Sequence, residues 1–387
     1  MPKLSEPIYL AAAVRTPIGK FGGSLKSMTA PELGTASARA TLERSGIDPA
    51  AVDEVIFGCA RQAGVGPNVA RQVAIKSGLR HEVPAYTVNQ ACGSGLRAIM
   101  NAADQIRLGE ASVVLAGGTE SMSNTPYLLP RARWGYRMGD AELVDGMSRD
   151  GFLCPLADEM MGATAETLAE RYGITREEQD RFAVESQRKA SRANFDAEIV
   201  KLDKLQRDEH PRFDTDLGSL AKLPPVFRKN GTVHAGNASG ITDGASSMLV
   251  VSEEALRTHG LEPMGRIAGY AQAGVDPKIM GIGPVPATRK LLDDVGMTLD
   301  DVDLVELNEA FAAQVLACDR ELHFDPAKLN VNGGAIALGH PIGATGARIV
   351  TTLLYAMQAR DARYGLATLC ISGGMGLAMI VENVLSS

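Results

Sequence analysis

Four side chains stand where chemistry would need them. Cys92 lies in VNQACGSGL (88 to 96), a thiol among small residues. His340 lies in GGAIALGHPIGATG (333 to 346), a loop with five glycines and no other charge. Cys370 falls near the end of an apolar run in LATLCISGGMG, and Asn308 opens NEAFA directly after the apolar LVEL. A thiol at a helix N-terminus can act as a nucleophile, because free backbone N–H groups and the helix dipole favour the thiolate. Each residue also has a plainer reading. An intracellular cysteine is most often a small core residue, a lone histidine a structural hydrogen bonder, and Asn308 with Glu309 a helix cap with a first-turn acid. Glycine-rich loops also bind dinucleotide phosphates, but G-H-P-I-G-A-T-G fits the required G-x-G-x-x-G poorly.

The elements around these residues alternate. IYLAAAV (8 to 14), VDEVIFGCA (52 to 60), PAYTVN (84 to 89) and VVLAGG (113 to 118) read as strands separated by helix-length segments, a βαβ rhythm. Thr29 with Glu32 forms a capping box that opens a helix running through residue 45. Leu96, Ile99, Met100, Ala103 and Ile106 repeat at helical spacing, so Cys92 is expected at or just before a helix start.

The rhythm then returns. GRIAGYAQAGV (265 to 275) resembles the opening strand, VDLVELNEAFAAQ (302 to 314) resembles VDEVIFGCARQAG, and 329 to 349 answers YTVNQACGSGLRAI. Such duplication places a site at the crevice where the halves meet. Residues 121 to 240 interrupt the pattern as an insertion, with a helix opened by the capping box Thr175 to Glu178. A lid and an oligomer-contact loop are equally compatible with it.

Composition narrows the function. The 387 residues are 45% hydrophobic and 22% charged with a net charge of −7, which suits a globular α/β protein and argues against a general nucleic-acid coat. Five widely spaced cysteines without a C-x-x-C pair suit a reducing compartment. No H-E-x-x-H or His-rich tract is present, so no metal is expected. No window is long and uncharged enough for a membrane span, and a cytoplasmic location is expected.

Two thiols, one histidine and one asparagine at strand ends in glycine-rich surroundings suit acyl transfer with carbanion chemistry. The chain resembles the thiolase family, specifically the acetyl-CoA acetyltransferases, through VNQACGSGLRA, AGGTESMS, MGATAE, AGNASGITDGA, NEAFAAQ, NGGAIALGHPIGATGAR and CISGGMG. The resemblance implies a fold of duplicated βαβαβαββ halves in a five-layered α-β-α-β-α core, divided as 1–267, which includes the insertion, and 268–387. It implies Cys92 as the nucleophile, His340 as its activating base, Cys370 as the second acid/base, and Asn308 holding a water toward an enolate. The backbone N–H groups of Cys92 and Ser372 would form an oxyanion hole. It places Met161, Arg212, Ser219, Leu223, Phe227, Ala235, Ser239, Ala310 and Phe311 against coenzyme A (CoA). No bound cofactor beyond CoA thioester substrates is implied, and the assembly expected is a homodimer or homotetramer. The activity implied is reversible condensation of two acetyl-CoA, with a broader degradative 3-ketoacyl-CoA thiolase and a non-catalytic acyl-CoA carrier as alternatives. Ser372 departs from the usual glycine, and at positive φ it would carry strain of order 1 kcal/mol. Met160 departs from a histidine found in several members.

Overall fold

A computed structural model describes residues 6–384. In the first half, strands β1 (Ile8–Arg15), β2 (Glu54–Gly58), β3 (Ala85–Val88) and β4 (Val113–Ser121) alternate with helices α1 (Ala30–Ser45), α2 (Val69–Lys76) and α3 (Ser94–Arg107). The insertion contributes α4 (Met161–Tyr172) and α5 (Arg176–Arg192), and β5 (Thr242–Ser252) closes this half. The second half runs β6 (Pro263–Gly274), α6 (Pro284–Val295), β7 (Leu304–Leu307), α7 (Ala312–Leu322), α8 (Ile342–Arg360), β8 (Tyr364–Ile371) and β9 (Met375–Glu382).

The strand order is β7-β8-β9-β6-β1-β5-β4-β2-β3, which reads as the same sequence of elements outward from a central β1/β6 pair except that the edge strand β3 has no counterpart strand in the second half. The parallel pairs β2/β4 and β7/β8 correspond, as do the antiparallel pairs β4/β5 and β8/β9. The duplication is therefore structural. β6 is continuous from Pro263, so the division expected at 267/268 falls inside a strand.

Three apolar layers separate the sheets and helices. One lies between α1, α2 and the outer face of the first half, with Leu42, Val73, Phe57 and Leu115 buried. A central layer packs α3 and α8 against both halves, through Ile99, Met100, Leu353, Val350, Ala116 and Leu369. The third covers the outer face of the second half with α6 and α7, through Leu291, Val315, Leu366 and Ile380. Helices lie outside, between and outside two sheet halves, giving five layers. The apolar stripe read on α3 is buried throughout.

Two features escape the sequence. β5 is absent from the strand reading, and it is the strand that joins the insertion back to the sheet. Ser121 at the end of β4 pairs with Asp243 near the start of β5, so the insertion occupies the place of a hairpin turn. In the second half the equivalent turn is only Ser372, Gly373 and Gly374. The segment 329–341 also differs from its counterpart: Leu329 makes a single bridge to Val305, and a helical turn (Ala335–Leu338) precedes α8. The capping boxes at Thr29/Glu32 and Thr175/Glu178 form as expected.

Candidate active site

The duplication explains why distant residues converge. Cys92 stands two residues before α3, and His340 two residues before α8. These two helices are equivalents in the two halves and cross at their first turns. A Cβ on Gly95 would lie 2.8 Å from the backbone nitrogen of Ala347, and one on Gly346 would lie 2.7 Å from Leu96 Cβ. Only glycine permits that approach, and it carries the segments bearing Cys92 and His340 to one point. Cys370, near the C-terminal end of β8, and Ser372, just beyond it, complete the set: all four line one cavity of about 60 Å³, together with Arg61, Phe152, Met161, Ala310, Phe311 and neighbouring side chains.

Cys92 follows Ala91, whose φ of 44° is left-handed for a residue with a side chain. The turn is held by Ser94, whose hydroxyl accepts from Gln90 N–H (2.9 Å) and donates to the Ala91 carbonyl (2.7 Å). A strained turn held from outside is a recurrent feature of reactive sites. The expectation that the helix start favours the thiolate is not met in balance. Burial raises the Cys92 thiol above its ordinary value, and the Arg61 charge and the N–H groups of Ser372 and of Cys92 itself only partly offset it. At neutral pH the residue rests as a thiol and needs a base.

His340 supplies one. Its ring is 7% exposed, and Nδ1 lies 2.6 Å from Thr345 Oγ1. That hydroxyl donates its own hydrogen to the Pro341 carbonyl at 3.0 Å, so it accepts from Nδ1–H. The tautomer follows: Nε2 carries the lone pair, and it has no protein partner. Burial, with the charges of Arg348 and Arg61, pushes the His340 pKa down to about 3, which keeps the ring neutral.

The thiol of Cys370 is 1% exposed and pushed well above its ordinary value, first by burial and then by the neighbouring thiols of Cys92 and Cys318. It is a poor acid at rest, and its thiolate is a strong base. Asn308 donates its backbone N–H to Thr368 on β8 (3.0 Å), two residues before Cys370. Both polar atoms of its buried side chain lack a protein partner, although the residue does not line the cavity itself.

The capping reading of NEAFA is corrected. α7 begins at Ala312, and Glu309 is buried in a polar cluster with Ser186 Oγ (2.7 Å), Asn330 Nδ2 (2.9 Å) and Ile336 N–H (3.1 Å). It fixes the loop that bears Asn308. Ser372 is not among the residues of positive φ, so the strain foreseen for a serine there does not arise. The tight turn is made by Gly373 and Gly374, at φ 88° and 86°.

A second cavity of about 470 Å³ shares Phe152, Met161, Ser239 and Phe311 with the first and leads outward. Of the residues expected against CoA, Arg212, Phe227 and Ala235 also line it, while Ala310 lines the inner cavity. Phe227 and Phe311 meet edge to face at 6.0 Å. Ser219 and Leu223 line neither. Ser219 closes a capping box with Asp216, and Leu223 packs beside Leu220 and Ala183. Met160 lines the outer cavity.

The sequence reading missed Lys20, Phe21 and His210 on the outer wall, and Arg61 and Phe152 on the inner one. Lys20 arrives because Gly19–Lys20 pairs with β5, the unread strand. Arg61 had a signal, a cation directly after the buried strand VIFGCA. The insertion helps to enclose the site. Its segments at Phe152, Met160–Gly162 and Arg212 wall the cavities, and its tip is exposed, with Trp134 82% and Met138 96% accessible.

A partly exposed thiol and a buried one lining one small cavity with a neutral imidazole, beside a larger and mainly apolar cavity, suit an enzyme that passes acyl groups through sulfur. The comparisons agree. The family models for the thiolase N-terminal and C-terminal domains match residues 8–254 and 261–383, and the chain belongs to the thiolase family. It is 54% identical to an acetyl-CoA acetyltransferase of Pseudomonas aeruginosa, over 97% of this chain and 98% of the relative, and 52% identical to one of Escherichia coli, over 97% and 98%. A crystal structure of human mitochondrial 3-ketoacyl-CoA thiolase in complex with CoA superimposes with a TM-score of 0.97 at 44% identity, covering 99% of both chains. The Bacillus anthracis acetyl-CoA acetyltransferase gives 0.95 at 47% identity, covering 98% of this chain and 99% of that one. The chain has the fold of an acyltransferase of this family. Among the described residues no helix is long and apolar enough to cross a membrane.

Proposed function

We propose that the protein reversibly condenses two acetyl-CoA into acetoacetyl-CoA and CoA through an acetyl group carried on Cys92. The observation that supports this most directly is the shared cavity, in which Cys92, His340 and Cys370 meet with the His340 lone pair unengaged. The relatives' names give the substrate.

The protons balance with these groups alone. Cys92 passes its proton to His340 Nε2 and attacks the thioester carbonyl, whose oxygen meets the N–H groups of Cys92 and Ser372. The departing CoA sulfur takes the proton of Cys370. The Cys370 thiolate then removes a proton from the methyl group of a second acetyl-CoA, and its high basicity suits it to a carbon acid. His340, now bearing Nε2–H, donates to the enolate oxygen, with Asn308 holding a water beside it. Attack of the enolate on acetyl-Cys92 expels the Cys92 sulfur, which recovers its proton from His340. In the outer cavity, Lys20 and Arg212 face the anionic end of CoA, and Phe227, Phe311 and Met161 line the path of its pantetheine arm.

A homodimer or homotetramer is the assembly proposed, and the exposed Trp134 and Met138 fit a contact between copies. Five free cysteines suit a reducing compartment such as the cytoplasm.

The test is intact mass and peptide mapping after brief exposure to acetyl-CoA. The wild type gains one acetyl group on the Cys92 peptide and Cys92→Ala gains none. Cys370→Ala acetylates but loses turnover by about 100- to 10,000-fold, the range for loss of an acid/base group. Absence of the adduct in wild type refutes the mechanism.

A further inference from the structure

The C-terminal end of α5 borders a cavity that acetyl transfer does not use. It measures about 470 Å³ and shares no lining residue with the inner or the outer cavity. Glu185, Arg188, Lys189 and Arg192 line it from α5, and their spacing of three and four residues puts them on one helical face. Arg360, the last residue of α8, forms a second side, and Asn332 with the segment from Pro326 forms a third. α5 turns its other face toward the active site, where Ser186 Oγ donates to Glu309 at 2.7 Å and Gln187 Oε1 accepts from Arg212 N–H at 2.9 Å. The cavity therefore lies behind α5, apart from the acyl-transfer site.

Its charges do not cancel. Four cations face one carboxylate, Glu185, and Arg188 takes that one, with Nε donating to Oε2 at 2.6 Å. Lys189 Nζ is pinned to the wall by the carbonyls of Leu329 (2.7 Å) and Pro326 (3.3 Å), which leaves its third N–H uncommitted. Burial lowers its pKa against the opposing pull of Glu185, Glu309 and Glu306, so its charge is under-compensated where it stands. Among the described residues the side chains of Arg192, Arg360 and Asn332 make no hydrogen bond or ion pair. Asp325 and Asp361 adjoin the cavity in sequence but do not line it, and Asp325 Oδ1 already accepts from Ala327 N–H at 2.8 Å. Cations are ordinary in the last turn of a helix, where they answer the negative end of its dipole. That explanation falls short here, because two helix ends supply only roughly −0.5 each and reduce the excess to about two positive charges.

We infer that this cavity is a second binding site, for a small phosphate-bearing anion such as a diphosphate. It does not depend on the acetyl transfer proposed above. Donors on three sides suit the tetrahedral oxygens of a phosphoryl group better than the plane of a carboxylate, and the two arginine forks without partners meet such oxygens in pairs. The rest of the lining is small and aliphatic, with no aromatic ring for a nucleobase to stack on, so the phosphates carry the recognition. The volume falls within the range of roughly 300–1,000 Å³ for small-molecule sites.

The test is calorimetric titration of the whole protein with pyrophosphate at fixed ionic strength. Lys20 and Arg212 in the outer cavity offer phosphate another place to bind, so wild type is compared with Arg212→Gln and with the double variant Arg192→Gln/Arg360→Gln. Arg192 and Arg360 are exposed and unpaired, so the double variant should melt as wild type does when pyrophosphate is absent. The site should persist in Arg212→Gln and weaken by at least about tenfold in the double variant, the effect of losing a charged hydrogen-bonded contact. Glu185→Gln, which removes the only lining carboxylate, should tighten binding by about two- to fivefold. Equal affinity in wild type and the double variant overturns the inference, as does loss of all binding in Arg212→Gln. Wild type that binds no pyrophosphate tighter than about 1 mM overturns it too. Citrate bound as tightly as pyrophosphate would show that the cavity reads charge alone, and would overturn the phosphate assignment.

Discussion

Thr345→Val tests the tautomer on which the proposed base depends. Among the described residues the hydroxyl is the only hydrogen-bond partner of His340 Nδ1, at 2.6 Å, and it is committed as an acceptor because its hydrogen goes to the Pro341 carbonyl. Valine keeps the shape and the β-branch while removing that acceptor. The ring then has two options. It can keep Nδ1–H buried and unpaired, at about 1–3 kcal/mol, or move the proton to Nε2, where it faces the cavity. The second state is the more stable, and it has no lone pair toward Cys92. The population of competent enzyme falls accordingly, so acetylation of Cys92 should slow by about 5- to 150-fold. Loss of the Thr345 to Pro341 bond should add roughly 1 kcal/mol of destabilisation. The assay is rapid-quench acetylation followed by intact mass, with melting measured in parallel. Thr345→Ser, which keeps the hydroxyl, should recover most of the rate. Acetylation of Thr345→Val within twofold of wild type, with its melting lowered as expected, would refute the tautomer argument and assign the contact to stability alone.

Acid should destabilise the protein through the same ring. The folded pKa of His340, about 3, lies below the unfolded value of roughly 6.5, so the unfolded chain binds the proton first and stability falls as pH drops below 6.5. The share attributable to His340 is about 2 kcal/mol between pH 7 and pH 5, read as the difference in pH dependence of denaturant unfolding between wild type and His340→Gln. Parallel curves for the two proteins would show that the ring is not held neutral by the fold. Gly118→Ala tests the joint between β4 and α8. The added Cβ would collide with the Gly343 carbonyl and lie 3.0 Å from Ala344 Cα, both backbone, so neither can rotate aside. A loss of roughly 1–3 kcal/mol in unfolding free energy is expected, with a misplaced His340 lowering acetylation as well. A variant as stable and as active as wild type would show that the joint has slack.

Much of the site was legible because it depends on local grammar. Cys92 precedes a helix whose apolar stripe has an unambiguous period, and the repeated halves announce that their equivalent elements meet. That repetition suffices to bring Cys92, His340 and Cys370 together, since each follows or ends an element that has a counterpart in the other half. β5 was not legible. Its residues, TDGASSMLVVS, begin with polar and small residues, and it is buried along its whole length between β1 and β4. Strands covered on both faces lose the alternation by which strands are read.

The sequence by itself determined the residue types, the order of the elements, the internal repeat and the helix starts, because these follow from patterns spanning a few residues. Tertiary structure decided the chemistry of each group. The helix start argues for a Cys92 thiolate, yet burial raises the thiol. A histidine in a loop could hold either tautomer, and the Thr345 hydroxyl selects one. Serine at 372 is strained only if φ is positive, and the turn places that requirement on the two glycines after it. Arg61 is an ordinary surface residue type until packing buries it with two guanidinium nitrogens unpartnered. Desolvation and hydrogen-bond commitment depend on which distant segments close over a side chain, and no local pattern encodes that.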